Sequence, residues 1–172
     1  NALGLVQKIL APNFVSAFMW SNMSWRCFGT SVGLKSSSMI KIHTYLNGEF
    51  LNTYWADGLI VATPTGSTGY SLSCGGPVVF PQTSSFVITP VASHNLNTRS
   101  IVVPDDTVIS FEVEGRADQF LCTLDSRTQI ISNHVQLAVK KENFTIKLVR
   151  PDEHNFLKTI REKLYWGIDS RN

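Results

Sequence analysis

The sequence predicts a mainly β protein, a β-sandwich with one short C-terminal helix, and three observations carry that prediction. From residue 39 onward, short runs rich in β-branched and aromatic residues alternate with Gly, Pro, Asp and Asn, the pattern of strands separated by turns. Asn47-Gly48 sits between two such runs, and both residues tolerate the positive φ that a tight hairpin needs. After Pro151 the period changes, so that Leu157, Ile160 and Leu164 share one helical face while Lys158, Arg161 and Glu162 lie on others.

Taken in order, residues 1–36 are rich in Trp, Phe, Met, Ser and Asn and keep neither a helical nor an alternating period. Strands are expected over residues 39–46 and 50–55, flanking the hairpin turn, and then over 59–62, 86–89, 100–103, 108–114, 120–124, 128–131, 135–139 and 144–149. The chain divides accordingly into a leader, 1–36, a β-sandwich, 37–150, and a helical segment, 151–172.

Composition excludes several classes of function. The 172 residues, 43% of them hydrophobic, suffice for one good core. The 15 basic and 13 acidic residues are spread along the chain, without the basic cluster that a nucleic-acid backbone requires. Cys27, Cys74 and Cys122 form no Cys-x-x-Cys pair, and the odd count points to a reducing cytoplasm rather than to a disulfide framework. The most apolar early stretch, residues 14–20, is too short to span a bilayer and lacks the flanks of a signal peptide, so no membrane or targeting segment is expected. His43, His94, His134 and His154 show no metal-ligand spacing. No Walker loop occurs, and Gly69-Tyr70-Ser71-Leu72-Ser73 misses the hydrolase elbow at its last residue.

The most informative stretch is Asp57-Gly58-Leu59-Ile60-Val61-Ala62-Thr63-Pro64-Thr65-Gly66-Ser67-Thr68-Gly69-Tyr70-Ser71-Leu72-Ser73-Cys74-Gly75-Gly76-Pro77. An apolar strand runs into a loop of small, hydroxyl-bearing residues. Gly66, Gly69, Gly75 and Gly76 relax backbone sterics, and Thr65, Ser67, Thr68, Tyr70, Ser71 and Ser73 supply donors and acceptors for ribose or amide groups. Asp57 precedes the strand, where its carboxylate can accept from a ligand, although Asp-Gly is also a common turn pair.

This stretch resembles the signature of the NAD kinases. The resemblance continues through Ile88-Thr89-Pro90, His94-Asn95-Leu96, Arg99-Ser100-Ile101-Val102-Val103-Pro104, Leu124-Asp125 and Ile160-Arg161-Glu162-Lys163-Leu164-Tyr165-Trp166-Gly167, so it covers residues 37–172. It implies the C-terminal β-sandwich of that family, with a C-terminal segment that packs on an α/β domain. The Gly-Gly-Asp-Gly loop, whose aspartate is the family's proposed general base, and the family's ribose-binding Asn-Glu pair are not readable here; the only Gly-Gly is followed by Pro77. The chain thus looks like the C-terminal half, the general base being expected in an N-terminal domain. Residues 1–36 match nothing in the family and read either as a truncated, rearranged or frameshifted leader, disordered or not, or as a lineage-specific strand pair.

The activity so implied is transfer of the terminal phosphoryl group of ATP, or of polyphosphate, with Mg²⁺ or another divalent metal, to the adenosine ribose 2'-hydroxyl of NAD, giving NADP. Carried onto this sequence, the resemblance assigns NAD binding to Thr65, Thr68, Gly69, Tyr70 and Ser73. It assigns Asp57 a contact with NAD bound mainly to a neighbouring subunit of a homodimer or homotetramer. The family usually has Ala where Gly69 stands, which touches affinity more than identity. His94, within Ser93-His94-Asn95-Leu96, is read as a structural or pocket-rim histidine, and Asp125, followed by Ser126-Arg127 where the family commonly has Gly, as a pocket-rim or plain turn residue. No catalytic residue and no metal ligand is assigned to this chain, which is expected to be inactive alone. A non-catalytic nucleotide-binding module and an inert fragment are the competing readings.

Overall fold

The computed structural model describes residues 14–19, 24–28, 39–124, 127–142 and 155–167. The elements, in chain order, are β1 (Phe14–Met19), β2 (Ser24–Phe28), β3 (Ile40–Leu46), β4 (Glu49–Ala56), β5 (Gly58–Ala62), a 3-10 turn (Thr65–Thr68), α1 (Tyr70–Ser73), β6 (Ser85–Val91), β7 (Ile101–Pro104), β8 (Ile109–Glu114), β9 (Gln119–Leu124), β10 (Arg127–Ser132), β11 (Gln136–Lys141) and α2 (Phe156–Leu164). The strand expected over 144–149 lies outside the described residues.

The strands form two sheets, ordered β1-β11-β8-β3-β4 and β10-β9-β2-β5-β6-β7. Every pairing is antiparallel except β1 with β11. One core joins them: Ile42, Tyr54, Phe111, Val113, Leu137 and Val139 from the first sheet meet Leu59, Val61, Phe86, Ile88, Phe120 and Cys122 from the second. Two packed sheets with side chains alternating into a shared core make the β-sandwich.

Alternation explains which residues line that core. In β3, Ile40, Ile42 and Thr44 are buried while Lys41 is exposed, as period-2 geometry requires. On the outer face His43 Nδ1 lies 2.8 Å from Thr53 Oγ1 and His43 Nε2 lies 3.4 Å from Glu114, cross-strand pairings on the solvent side of the strand. The β3–β4 turn uses Asn47 and Gly48 at φ 52° and 85°, and Asn47 Oδ1 accepts from Val108 N at 2.9 Å, tying the hairpin to β8.

β5 is buried at all five positions. Leu59 and Val61 face the sandwich core, whereas Ile60 and Ala62 join a second cluster with Val79, Val87 and Val91 on the outer face, covered by Tyr70 and Cys74. A strand covered on both faces reads as an unbroken apolar run, which is why residues 59–62 show no alternation. β6 continues through Pro90, past Ile88, the last residue paired with β7, so a missing N–H toward that side costs no ladder bond.

α2 has no buried residue. Phe156, Ile160 and Leu164 are half-buried, and Phe156 meets Phe80 with ring centroids 5.1 Å apart. Leu157, which the sequence places on the apolar stripe, is 49% exposed, because Phe156 at the first helical position takes the packing role. Asn155 caps the helix, its Oδ1 accepting from Leu157 N at 2.9 Å and Lys158 N at 3.4 Å.

Candidate functional site

After β5 the chain is not the open Gly/Ser loop expected from its composition; it winds into the 3-10 turn and then α1. The hydroxyls cause this. Thr63 Oγ1 accepts from Gly66 N at 3.1 Å, and Pro64 O accepts both Ser67 N at 3.2 Å and Ser67 Oγ at 2.6 Å. Gly69 N donates to Gly66 O at 3.0 Å and Cys74 N to Tyr70 O at 3.1 Å. Short side-chain oxygens bonding their own backbone stabilise such turns.

Not all of the hydroxyls are available to a ligand, which corrects the reading of all six as contact groups. Ser67 and Ser71 are wholly buried. Ser67 Oγ also accepts from Val79 N at 3.0 Å, and Ser71 Oγ lies 2.9 Å from Thr89 Oγ1. Gly76 is fixed by the same packing: a Cβ there would collide with Ser71 Oγ and stand 2.8 Å from both Ser71 O and Thr89 Oγ1. Its role is close approach of the turn to β6 rather than contact with a ligand.

The remaining groups define the outward face. Thr65, Gly69 and Ser73 are exposed, and Thr68 and Tyr70 are half-buried. Thr68 Oγ1 donates to Thr65 O at 3.3 Å. Tyr70 has one flank on the outer cluster of β5 and β6, so the ring is braced. A Cβ on Gly69 would meet Gly66 O at 3.2 Å, a close contact rather than a clash. The structure thus brings Thr65, Thr68, Gly69, Tyr70 and Ser73 together on one short turn.

Asp57 and His94 belong to the other end of β5. Asp57 is exposed at the β4–β5 corner, its N donating to Val91 O at 3.0 Å. β5 separates it from the turn by about 17 Å, the rise of five extended residues. His94, also exposed, donates its N–H to Trp55 O at 2.8 Å and stacks edge-on against the Trp55 ring at 5.1 Å. Asn95 Oδ1 accepts from Trp55 N at 3.1 Å, so two successive residues clasp β4 two positions before Asp57. Asp125 lies outside the described residues. Among the described residues, no three His, Cys, Asp or Glu side chains converge to hold a metal ion, and no helix is long and apolar enough to cross a membrane.

Sequence reasoning missed the Trp55 clasp and the Ser71 to Thr89 contact. The first joins residues 40 positions apart and the second residues 18 apart, and no local period or spacing marks such pairs.

Residues 32–150 match the ATP-NAD kinase C-terminal domain. The NAD kinase of Cytophaga hutchinsonii is 62% identical over 137 residues, which are 80% of this chain and 47% of that protein. That of Bacteroides fragilis is 48% identical over 136 residues, 79% of this chain and 47% of that protein. The chain therefore spans about half the length of the curated relatives it matches. Among solved structures, an NAD kinase from Archaeoglobus fulgidus in complex with ATP is similar with a TM-score of 0.60 at 26% identity, over 73% of this chain and 46% of that one. Yeast NADH kinase complexed with NADH gives a TM-score of 0.64 at 23% identity, over 86% of this chain and 42% of that one, a likeness of fold. Together with the two-sheet core and the braced turn after β5, these matches establish that the chain belongs to the NAD kinase family and carries its C-terminal domain.

Proposed function

We propose that this chain is the NAD-binding, oligomer-forming half of a cytoplasmic enzyme that transfers the terminal phosphoryl group of ATP to the adenosine ribose 2'-hydroxyl of NAD, giving NADP. The observation that carries this reading is the outward face of the turn after β5, where Thr65, Gly69 and Ser73 are exposed beside Thr68 and Tyr70 while Ser67 and Ser71 anchor the turn from beneath.

Such a face binds and orients. The hydroxyls of Thr65, Thr68 and Ser73 offer paired donor and acceptor sites for ribose and amide groups, and Tyr70 offers a ring braced for contact with a base. Preorganisation comes from the buried bonds below, which hold the donors in place before the ligand arrives. Residues 57–77 contain no Lys or Arg, so this surface positions the acceptor nucleotide and does not neutralise a triphosphate. The base that takes the 2'-hydroxyl proton belongs to the other half. A divalent cation travels with ATP in this chemistry, and the described residues supply it no ligand set. The separation of Asp57 from the turn by the length of β5 supports its contact with NAD held mainly by a neighbouring copy.

The test is NADP formation from NAD, ATP and Mg²⁺ by the purified chain alone and by a fusion in which the N-terminal half of the Cytophaga hutchinsonii relative replaces residues 1–36. Turnover in the fusion only is the expected result. Turnover by the chain alone would place the base wrongly, and none in either would favour a non-catalytic module or an inert fragment.

A further inference from the structure

β2 lies inside the second sheet, between β9 and β5. Its antiparallel pairings set Cys27 directly opposite Cys122 of β9 and directly opposite Leu59 of β5. Leu59 and Cys122 both belong to the sandwich core, at 0% and 5% exposure. Residues directly opposite each other in an antiparallel pair share one face of the sheet. Position 27 therefore completes a row with Leu59 and Cys122 on the core face.

The register suits a disulfide. Directly opposite residues of an antiparallel pair have Cα atoms about 4.5 Å or about 5.5 Å apart, according to whether they exchange ladder hydrogen bonds, and a disulfide joins Cα atoms about 4.4–6.8 Å apart. Both kinds of ladder position fall inside that window. The third cysteine is placed elsewhere: Cys74 packs with Tyr70 against the outer cluster of Ile60, Val79 and Val87, so the sheet itself lies between Cys74 and Cys122. The odd count of cysteines resolves into one pair in register and one residue on the opposite face.

We propose that Cys27 and Cys122 are a redox-sensitive pair that forms a cross-strand disulfide and locks β2 into the sandwich. Under reducing conditions both are thiols. The oxidant is a low-molecular-weight disulfide such as oxidised glutathione. The thiolate of one cysteine attacks a glutathione sulfur, the glutathione S–S bond breaks, and one glutathione leaves as its thiolate. The other cysteine thiolate then attacks the protein sulfur of the mixed disulfide, forming the Cys27 to Cys122 bond and expelling the second glutathione. Two electrons pass from the cysteine pair to the glutathione disulfide, and the two thiol protons end on the two glutathiones. Apolar burial keeps a thiol protonated and slow to react, so the exchange proceeds through openings in which β2 lifts from β9. Once formed, the bond closes the chain between residues 27 and 122 into a long loop, which restricts the unfolded chain. The proposal goes beyond the NAD reading and uses none of its residues.

The test is incubation of the purified, folded chain with oxidised glutathione, alkylation of the remaining thiols, and mass spectrometry of the unreduced tryptic digest. Peptide 27–35 linked to peptide 117–127 is expected, with Cys74 alkylated, and dithiothreitol should separate the two peptides. The oxidised chain should unfold at a higher urea midpoint than the reduced chain. Cys74→Ser is expected to keep both the link and the rise in midpoint, and Cys122→Ser to lose both. Glutathione adducts without the link, a link that includes Cys74, or a linked chain whose midpoint is no higher than that of the reduced chain would overturn the proposal. These three readouts use the unaltered chain and stand even where a variant fails to fold.

Discussion

Ser71 Oγ and Thr89 Oγ1 lie 2.9 Å apart with both residues fully buried, and this contact pins α1 to the middle of β6. Thr89 is paired with Ile60, so the turn that leaves the end of β5 folds back over the strand's own centre. The outward face of the turn is therefore set by a polar contact hidden beneath it. Ser71→Ala would leave the Thr89 hydroxyl without that partner, and a loss of about 1–3 kcal/mol is expected, read as a lower urea midpoint. Ser71→Ala with Thr89→Val should lose less than the two single changes summed, since the double change removes both polar groups; strict additivity would argue against the coupling.

Gly76 packs against the same pair. Gly76→Ala forces a Cβ into Ser71 and Thr89, and overpacking of this kind costs about 1–3 kcal/mol. Thermal unfolding of the variant should show a clear drop in Tm. An unchanged Tm would mean that the turn can lift from β6 at little cost.

In the fusion described above, Asp57→Asn and Tyr70→Ala are each expected to raise the KM for NAD, by about tenfold, with kcat less affected, the pattern of lost ground-state binding. Unchanged KM values in both variants would remove these residues from the NAD surface.

Burial raises the Tyr54 hydroxyl above its ordinary pKa of 10.0. Its folded form holds the proton more tightly than the unfolded chain, so this contribution to stability is complete below pH 10.0 and is lost as pH rises through the raised value. Tyr45 is raised as well, by desolvation first and then by Glu112, and acts in the same direction nearer to solvent. Urea midpoints measured across the alkaline range should fall less in Tyr54→Phe than in the unaltered chain; parallel curves would show that Tyr54 does not couple to folding.

α2 buries no residue, and Phe156 meets Phe80 across a ring contact. Its amides are expected to exchange with solvent far faster than those of β5 and β6, because few buried contacts hold it closed. Asn155→Ala, which removes the cap, should reduce helicity at a cost of about 1 kcal/mol to the helix while leaving the sandwich transition in place. Exchange of α2 as slow as that of β5 would contradict this picture.

Much of the sandwich was legible in the sequence because one-sided strands leave a local trace. The alternation of Ile40, Ile42 and Thr44 with polar neighbours and the Asn47-Gly48 turn are written within a few residues. The run 57–77 stands out in the sequence as a candidate site by its chemistry, but its helical turns do not, since hydroxyls that cap a turn and hydroxyls that meet a ligand are the same residue types. Burial divides them: Ser67 and Ser71 face inward and Thr65 and Ser73 outward, a division set by β6 and by Val79 rather than by neighbours in sequence. Phe156 replaces Leu157 as the helix anchor for a similar reason, as Phe80 meets it from 76 positions away.

The central claim, that the turn after β5 is the NAD-contacting surface, is tested most directly by titrating the isotopically labelled chain with NAD and mapping which backbone amides shift. Saturable shifts concentrated on residues 65–73 and lost in Tyr70→Ala are the predicted result. Saturable shifts located elsewhere, or none in a folded chain, would contradict it.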